Sequence, residues 1–118
     1  MLRDFADNSS LLLLNVRGNK LEGDARGVKE CGNLVQLDIS QNRFSGSLPA
    51  STEWDELATY RAGNNRFSGR FPMNLTAARI LEHLDVSNNQ LTGIIPPQVG
   101  LAWSADCIRC SRVLAYRL

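Results

Sequence analysis

Apolar residues recur along this chain at fixed offsets from an asparagine. Asn19, Asn42, Asn65 and Asn89 are 23, 23 and 24 residues apart. Eight places before each stands a leucine: Leu11, Leu34, Leu57 and Leu81. Five before stand Leu14, Leu37, Tyr60 and Leu84, and three before stand Val16, Ile39, Ala62 and Val86. Two after stand Leu21, Phe44, Phe67 and Leu91, and four after stand Gly23, Gly46, Gly69 and Gly93. Six after stand Ala25, Leu48, Phe71 and Ile95, the last three followed by Pro49, Pro72 and Pro96. Self-similarity at a period in the twenties predicts a stack of repeats, each too small to bury its own apolar face.

The offsets predict the elements. Residues five and three before the asparagine have period two, so both side chains point to one side of a short strand, towards the coil interior. The asparagine ends the strand. Its amide offers two donors and an acceptor to the turn and to the neighbouring coil, which predicts a ladder of Asn19, Asn42, Asn65 and Asn89 inside the stack. The glycine supplies a bend that a side chain would obstruct. The proline fixes an extended stretch on the far side.

Three segments, LVQLDISQNRFSGSLP, LATYRAGNNRFSGRFP and LEHLDVSNNQLTGIIP, resemble leucine-rich repeats of the plant extracellular type, LxxLxLxxNxLxGxIP. The resemblance covers about residues 11–100 and implies an α/β solenoid. That solenoid is a right-handed superhelix of about four repeats with a short parallel concave sheet. Members of this class are the ectodomains of plant receptor-like kinases and receptor-like proteins, and secreted inhibitors of fungal polygalacturonases. The resemblance therefore implies a noncatalytic recognition module in an extracellular setting, with a protein or peptide ligand and a co-receptor as partners. A structural remnant without a ligand of its own is the remaining alternative.

The expected division is an N-terminal flank at 1–10, repeats at 11–33, 34–56, 57–80 and 81–100, and a non-repeat tail at 101–118. The first copy has Ala25-Arg26 where the later ones have an apolar residue and proline, and the third has Tyr60 and Ala62 in strand columns. Past Gly100 the count puts Ile108 and Cys110 in strand columns, but Val113 where an asparagine belongs. Trp103, Cys107, Cys110 and Leu114 share one helical face, so the tail reads either as a short capping helix or as sequence without evolved structure. Cys31 reads as a packed free thiol. Cys107 and Cys110 are a single CxxC, without the further ligands that a zinc site needs, and read as a local disulfide or as apolar packing.

Composition narrows the functions. A net charge of +1 gives no electrostatic footprint for nucleic acid or an anionic membrane. No apolar run reaches about 18 residues, so no segment reads as membrane-spanning. Residues 1–10 do not read as a signal peptide. At this length the chain reads as a piece of a longer receptor, with signal, anchor and any kinase domain outside it. No cofactor or metal site is expected. His83, Asp85 and Ser87 imitate a triad, but residues two apart on a strand are about 6.6–6.8 Å apart, while a nucleophile and its base need about 2.6–3.2 Å. The chain is not expected to be an enzyme.

Recognition chemistry is expected on the concave face. The outward positions are Leu13, Asn15, Arg17 and Gly18; Gln36, Asp38, Ser40 and Gln41; Thr59, Arg61, Gly63 and Asn64; His83, Asp85, Ser87 and Asn88. The leading candidates are Gln36, Asp38, Ser40, Thr59, Arg61, Asn64, His83, Asp85 and Ser87. Arg61 between two aspartates reads as a cross-strand ion pair, a solvated charge or a ligand anchor. The face carries no aromatic anchor of the kind that dominates binding hot spots. Asn8-Ser9-Ser10 and Asn74-Leu75-Thr76 are sequons, glycan acceptors in a secreted setting. Asn74 is expected on the outer surface.

Overall fold

The fold is that of a computed structural model, which describes residues 10–72 and 80–92, and the backbone alone of 108–109. The chain winds into coils whose strands stack in two parallel ladders. The first ladder holds β1 (Leu13–Asn15), β3 (Gln36–Asp38), β5 (Thr59–Arg61), β7 (His83–Asp85) and β9 (Ile108–Arg109), in that order. The second holds β2 (Glu22–Gly23), β4 (Arg43–Gly46), β6 (Arg66–Arg70) and β8 (Gln90–Thr92). The registers follow the asparagine count: Leu14 pairs with Leu37, Leu37 with Tyr60, and Tyr60 with Leu84.

The periodic columns are the core. Leu34, Leu37, Ile39, Leu57, Tyr60, Ala62, Phe44, Phe67 and Val86 are fully buried. The first coil is thinner: Leu11, Leu14, Val16 and Leu21 are only partly covered. Tyr60 is no defect in its leucine column. It packs against Trp54 at 6.2 Å between ring centroids, and its hydroxyl donates to the Pro49 carbonyl at 2.7 Å. A buried phenol needs such a partner. Burial raises its pKa well above the ordinary tyrosine value. Phe44 and Phe67 stack at 6.1 Å, continuing the core from one coil to the next.

The asparagines form the expected rail. Asn42 Oδ1 accepts from the Asn19 and Leu21 N–H groups of the preceding coil. Asn65 accepts from Phe44 N–H at 3.0 Å, and Asn89 from Phe67 N–H at 2.9 Å. From Asn42 onward, each Nδ2 donates both to its own turn and back one coil, as Asn65 does to Ala62, Gly63 and Ile39. The residue before each asparagine has positive φ: Gly18, Gln41, Asn64 and Asn88. The turn after each strand therefore carries a left-handed residue directly before the asparagine.

The structure corrects several expectations. Residues after the asparagine form the second ladder, where the sequence predicts only a bend. The glycine four places on is required by its backbone conformation and not by crowding. A Cβ on Gly69 would have its nearest neighbour 4.0 Å away, but a φ of 82° disfavours any side chain there. On the far side, the described helix is one 3-10 turn at Arg26–Glu30, opening just past Ala25. Ile108 pairs with Leu84 and Arg109 with Asp85, so these two tail residues are strand, where the spacing also suggests helix. Trp103, Cys107, Cys110 and Leu114 lie outside the described residues.

Candidate functional site

The outer face of the first ladder presents rows of side chains, one per coil, about 4.8 Å apart. One row reads Leu13, Gln36, Thr59 and His83, and the next reads Asn15, Asp38, Arg61 and Asp85, in the registers β1–β3–β5–β7. Of the expected candidates, Gln36, Arg61, Asn64 and His83 are exposed, and Thr59, Asp38, Asp85 and Ser87 are half-buried. Ser40 is buried, at 8% exposure, and Gly63 is buried too, so neither offers an accessible group on this face.

The reason is a local hydrogen-bonded unit. Asp38 Oδ1 accepts from the Ser40 hydroxyl at 2.5 Å and from its N–H at 3.1 Å. Asp85 Oδ1 accepts from the Ser87 hydroxyl at 2.6 Å and from its N–H at 3.0 Å. Each carboxylate is thus pinned along its own strand by the serine two places on. The third coil breaks this pattern with Arg61 and Gly63. A Cβ on Gly63 would stand 3.1 Å from Asp85 Oδ1 and 3.2 Å from Ser87 Oγ, so the missing side chain leaves room for the neighbouring pair.

Of the readings left open for Arg61, the cross-strand ion pair is not present among the described residues. Asp24–Arg26, at 3.4 Å, is the one salt bridge among the described residues. Arg61 is left exposed at the centre of the face, between two carboxylates that are bound to serines. The face is shallow. A depression of about 170 Å³ is lined by Leu13, Asn15, Gln36, Asp38, Thr59 and Arg61 among others. The HLDVS row is no triad in geometry, since the Ser87 hydroxyl donates to Asp85 and not to His83.

Cys31 is a buried free thiol. Burial chiefly, and then the neighbouring Glu30 carboxylate, raise its pKa, so it is not an activated nucleophile. Its carbonyl accepts from Trp54 Nε1 at 2.9 Å. Cys31 and Trp54 each stand twelve places after a ladder asparagine. Sequence reasoning misses this column because its residue types differ, and position alone is its signal. No group of three or more potential metal ligands occurs among the described residues. No described helix is long and apolar enough to cross a membrane. Asn8, Asn74, Cys107 and Cys110 lie outside the described residues.

The Leucine Rich Repeat family profile matches residues 33–53 and 81–101. No curated protein matches the chain in sequence. Among solved structures, the ectodomain of the Arabidopsis receptor kinase HAESA, in complex with an N-terminally extended IDA peptide hormone ligand, is 38% identical. The match covers 73% of this chain with a TM-score of 0.67. The PEPR1–AtPEP1 structure is 30% identical over 82% of the chain, with a TM-score of 0.74. The BIR3–SERK2 complex from Arabidopsis thaliana is 29% identical over 92%, with a TM-score of 0.75. The chain spans only 15%, 14% and 60% of those three structures respectively.

Proposed function

Because the chain is a leucine-rich-repeat protein whose repeats are of the plant extracellular type, we propose that it is a noncatalytic recognition module. In this reading it belongs to the extracellular region of a receptor-like kinase or receptor-like protein. Its concave rows meet a peptide or protein ligand, and a co-receptor is a further partner. The similar structures include receptors solved with peptide hormones, and one, HAESA with IDA, that also holds the co-receptor SERK1. The observation that carries the reading for this segment is Arg61. It is an exposed guanidinium at the centre of the face, whose neighbouring carboxylates are already hydrogen-bonded elsewhere. A guanidinium so placed can fork to a ligand carboxylate without first breaking an internal pair.

The test is calorimetry on the complete parent ectodomain with a panel of acidic synthetic peptides. Arg61→Glu should weaken binding by about 10- to 100-fold, the loss of one charge-assisted contact plus the new repulsion. Arg70→Glu, on β6 and away from the concave face, should leave binding unchanged. Equal weakening by both would move the binding surface elsewhere. No effect from either would favour the second reading, that these coils are a spacer, which the absence of aromatic anchors on the described concave rows supports.

A further inference from the structure

The row that carries Arg61 continues beyond the fourth coil. Asn15 pairs in register with Asp38, Asp38 with Arg61, Arg61 with Asp85, and Asp85 with Arg109, each on adjacent parallel strands. The row therefore reads Asn15, Asp38, Arg61, Asp85 and Arg109. From the second coil onward, the charges at successive register positions alternate in sign. Such a row is its own complement when its order is reversed.

We propose that this row pairs with the same row of a second copy of the chain, face to face. Consider a two-fold axis lying parallel to the strands and midway between β5 and β7. It sets Arg61 opposite the partner's Asp85, and Asp85 opposite the partner's Arg61. Asp38 then falls at the register position of the partner's Arg109. An axis across the strands would instead set Arg61 against the partner's Arg61, so charge complementarity selects the first arrangement. The flanking rows accept it. Thr59 comes opposite the partner's His83, and Gly63, which carries no side chain, opposite the partner's Ser87.

Two further observations favour pairing between copies over pairing along the row. Every hydrogen bond described for Asp38 and Asp85 falls on Oδ1. Their serines thus hold each carboxylate in place and leave Oδ2 for an incoming guanidinium. Arg61 is exposed and, among the described residues, forms no salt bridge to either neighbour. The face is small: five strands about 4.8 Å apart and three residues long cover about 19 by 10 Å. That is well below the roughly 1,200 Å² buried by stable complexes. The dimer is therefore weak and salt-sensitive, and matters where copies are held at the millimolar effective concentrations that tethering provides. It uses the face proposed above for ligand binding, so the two states exclude each other. Its detection needs no ligand, and so fails or succeeds independently of that reading.

The experiment is sedimentation equilibrium of the complete chain, up to about 1 mM protein, in low salt and at about 0.5 M salt, where the Debye length falls below roughly 5 Å. A reversible dimer is expected, weakened at least about tenfold by the salt. Arg61→Glu should abolish it. Arg70→Glu, which makes the same change in net charge on another face, should not. Arg61→Glu mixed with Asp85→Lys should form a mixed dimer that neither forms alone. If Asp85→Lys does not fold, the contrast between Arg61→Glu and Arg70→Glu decides. A monomer at every concentration, a dimer indifferent to salt, or equal loss in Arg61→Glu and Arg70→Glu overturns the proposal.

Discussion

Replacing Asn65 by alanine removes four hydrogen bonds, but their loss is not felt equally. The Ile39 carbonyl keeps Asn42 Nδ2 at 3.1 Å, the Ala62 carbonyl keeps Asn89 Nδ2 at 3.0 Å, and the Gly63 carbonyl keeps the Gln41 N–H at 2.9 Å. Phe44 N–H has Asn65 Oδ1 as its described acceptor and is left without it in a fully buried residue. One orphaned donor costs about 1–3 kcal/mol, and the weakened carbonyl contacts add to it, for a total of about 2–4 kcal/mol. Asn19 gives the contrast. It is exposed, its amide bonds only its own turn, and the Val16 carbonyl keeps Asn42 Nδ2. Asn19→Ala should cost less than about 0.5 kcal/mol, as an exposed surface change does. In urea, with a slope of about 1–3 kcal/mol/M, Asn65→Ala should lower the midpoint by about 1–2 M and Asn19→Ala hardly at all. Asn65→Asp keeps the acceptor but aims a carboxylate at three carbonyl oxygens, and should lose more than the alanine variant at neutral pH. Equal losses at positions 65 and 19 would refute the argument that the cost lies in the neighbouring coil's backbone.

Burial raises the Tyr60 phenol, so its stabilising contribution is fully present below the ordinary tyrosine pKa of about 10 and declines above it, as the unfolded chain releases the proton first. Stability should fall by up to about 1.4 kcal/mol per pH unit there, and Tyr60→Phe should remove that slope in alkaline urea melts while costing about 1–2 kcal/mol at neutral pH through the unpaired Pro49 carbonyl. Gln41 has a φ of 56°, a conformation that asparagine and glycine tolerate better, so Gln41→Asn should raise stability by about 0.5–1 kcal/mol in the same melts. Expressed through a plant secretory pathway, the chain should gain an N-glycosidase-sensitive mass that Asn74→Gln removes; unchanged mass in the variant would count against an outward-facing Asn74.

The apolar columns and the asparagine rail are legible in the sequence because each coil makes the same demand on the chain, and repetition turns four weak local patterns into one strong one. The second ladder is not, since its strands are two to five residues long and hold at most one large apolar position each, too few for alternation to show. Tyr60 looks like an interruption because its compensations, Trp54 and the Pro49 carbonyl, stand outside its own strand. On the concave face the alternation places the rows but does not tell how far each side chain is covered. Ser40 lies beside the Asp38 carboxylate to which it donates, and only 8% of it is exposed. Charge pairing across strands is equally out of reach of the sequence: Arg61 stands in register with Asp38 and Asp85, yet no salt bridge joins it to either among the described residues.

The asparagine rail has a direction. From Asn42 onward, each amide reaches back to satisfy backbone groups of the coil made before it, so a coil is finished only by its successor. During synthesis from the N-terminus, the newest coil always has turn N–H groups waiting for an acceptor that has not yet been made. The growing tip of such a protein therefore carries turn N–H groups whose counterparts in the coils behind it are already paired. Whole coils become the natural unit of growth and shrinkage: gaining a period adds one more finished joint without disturbing those already closed.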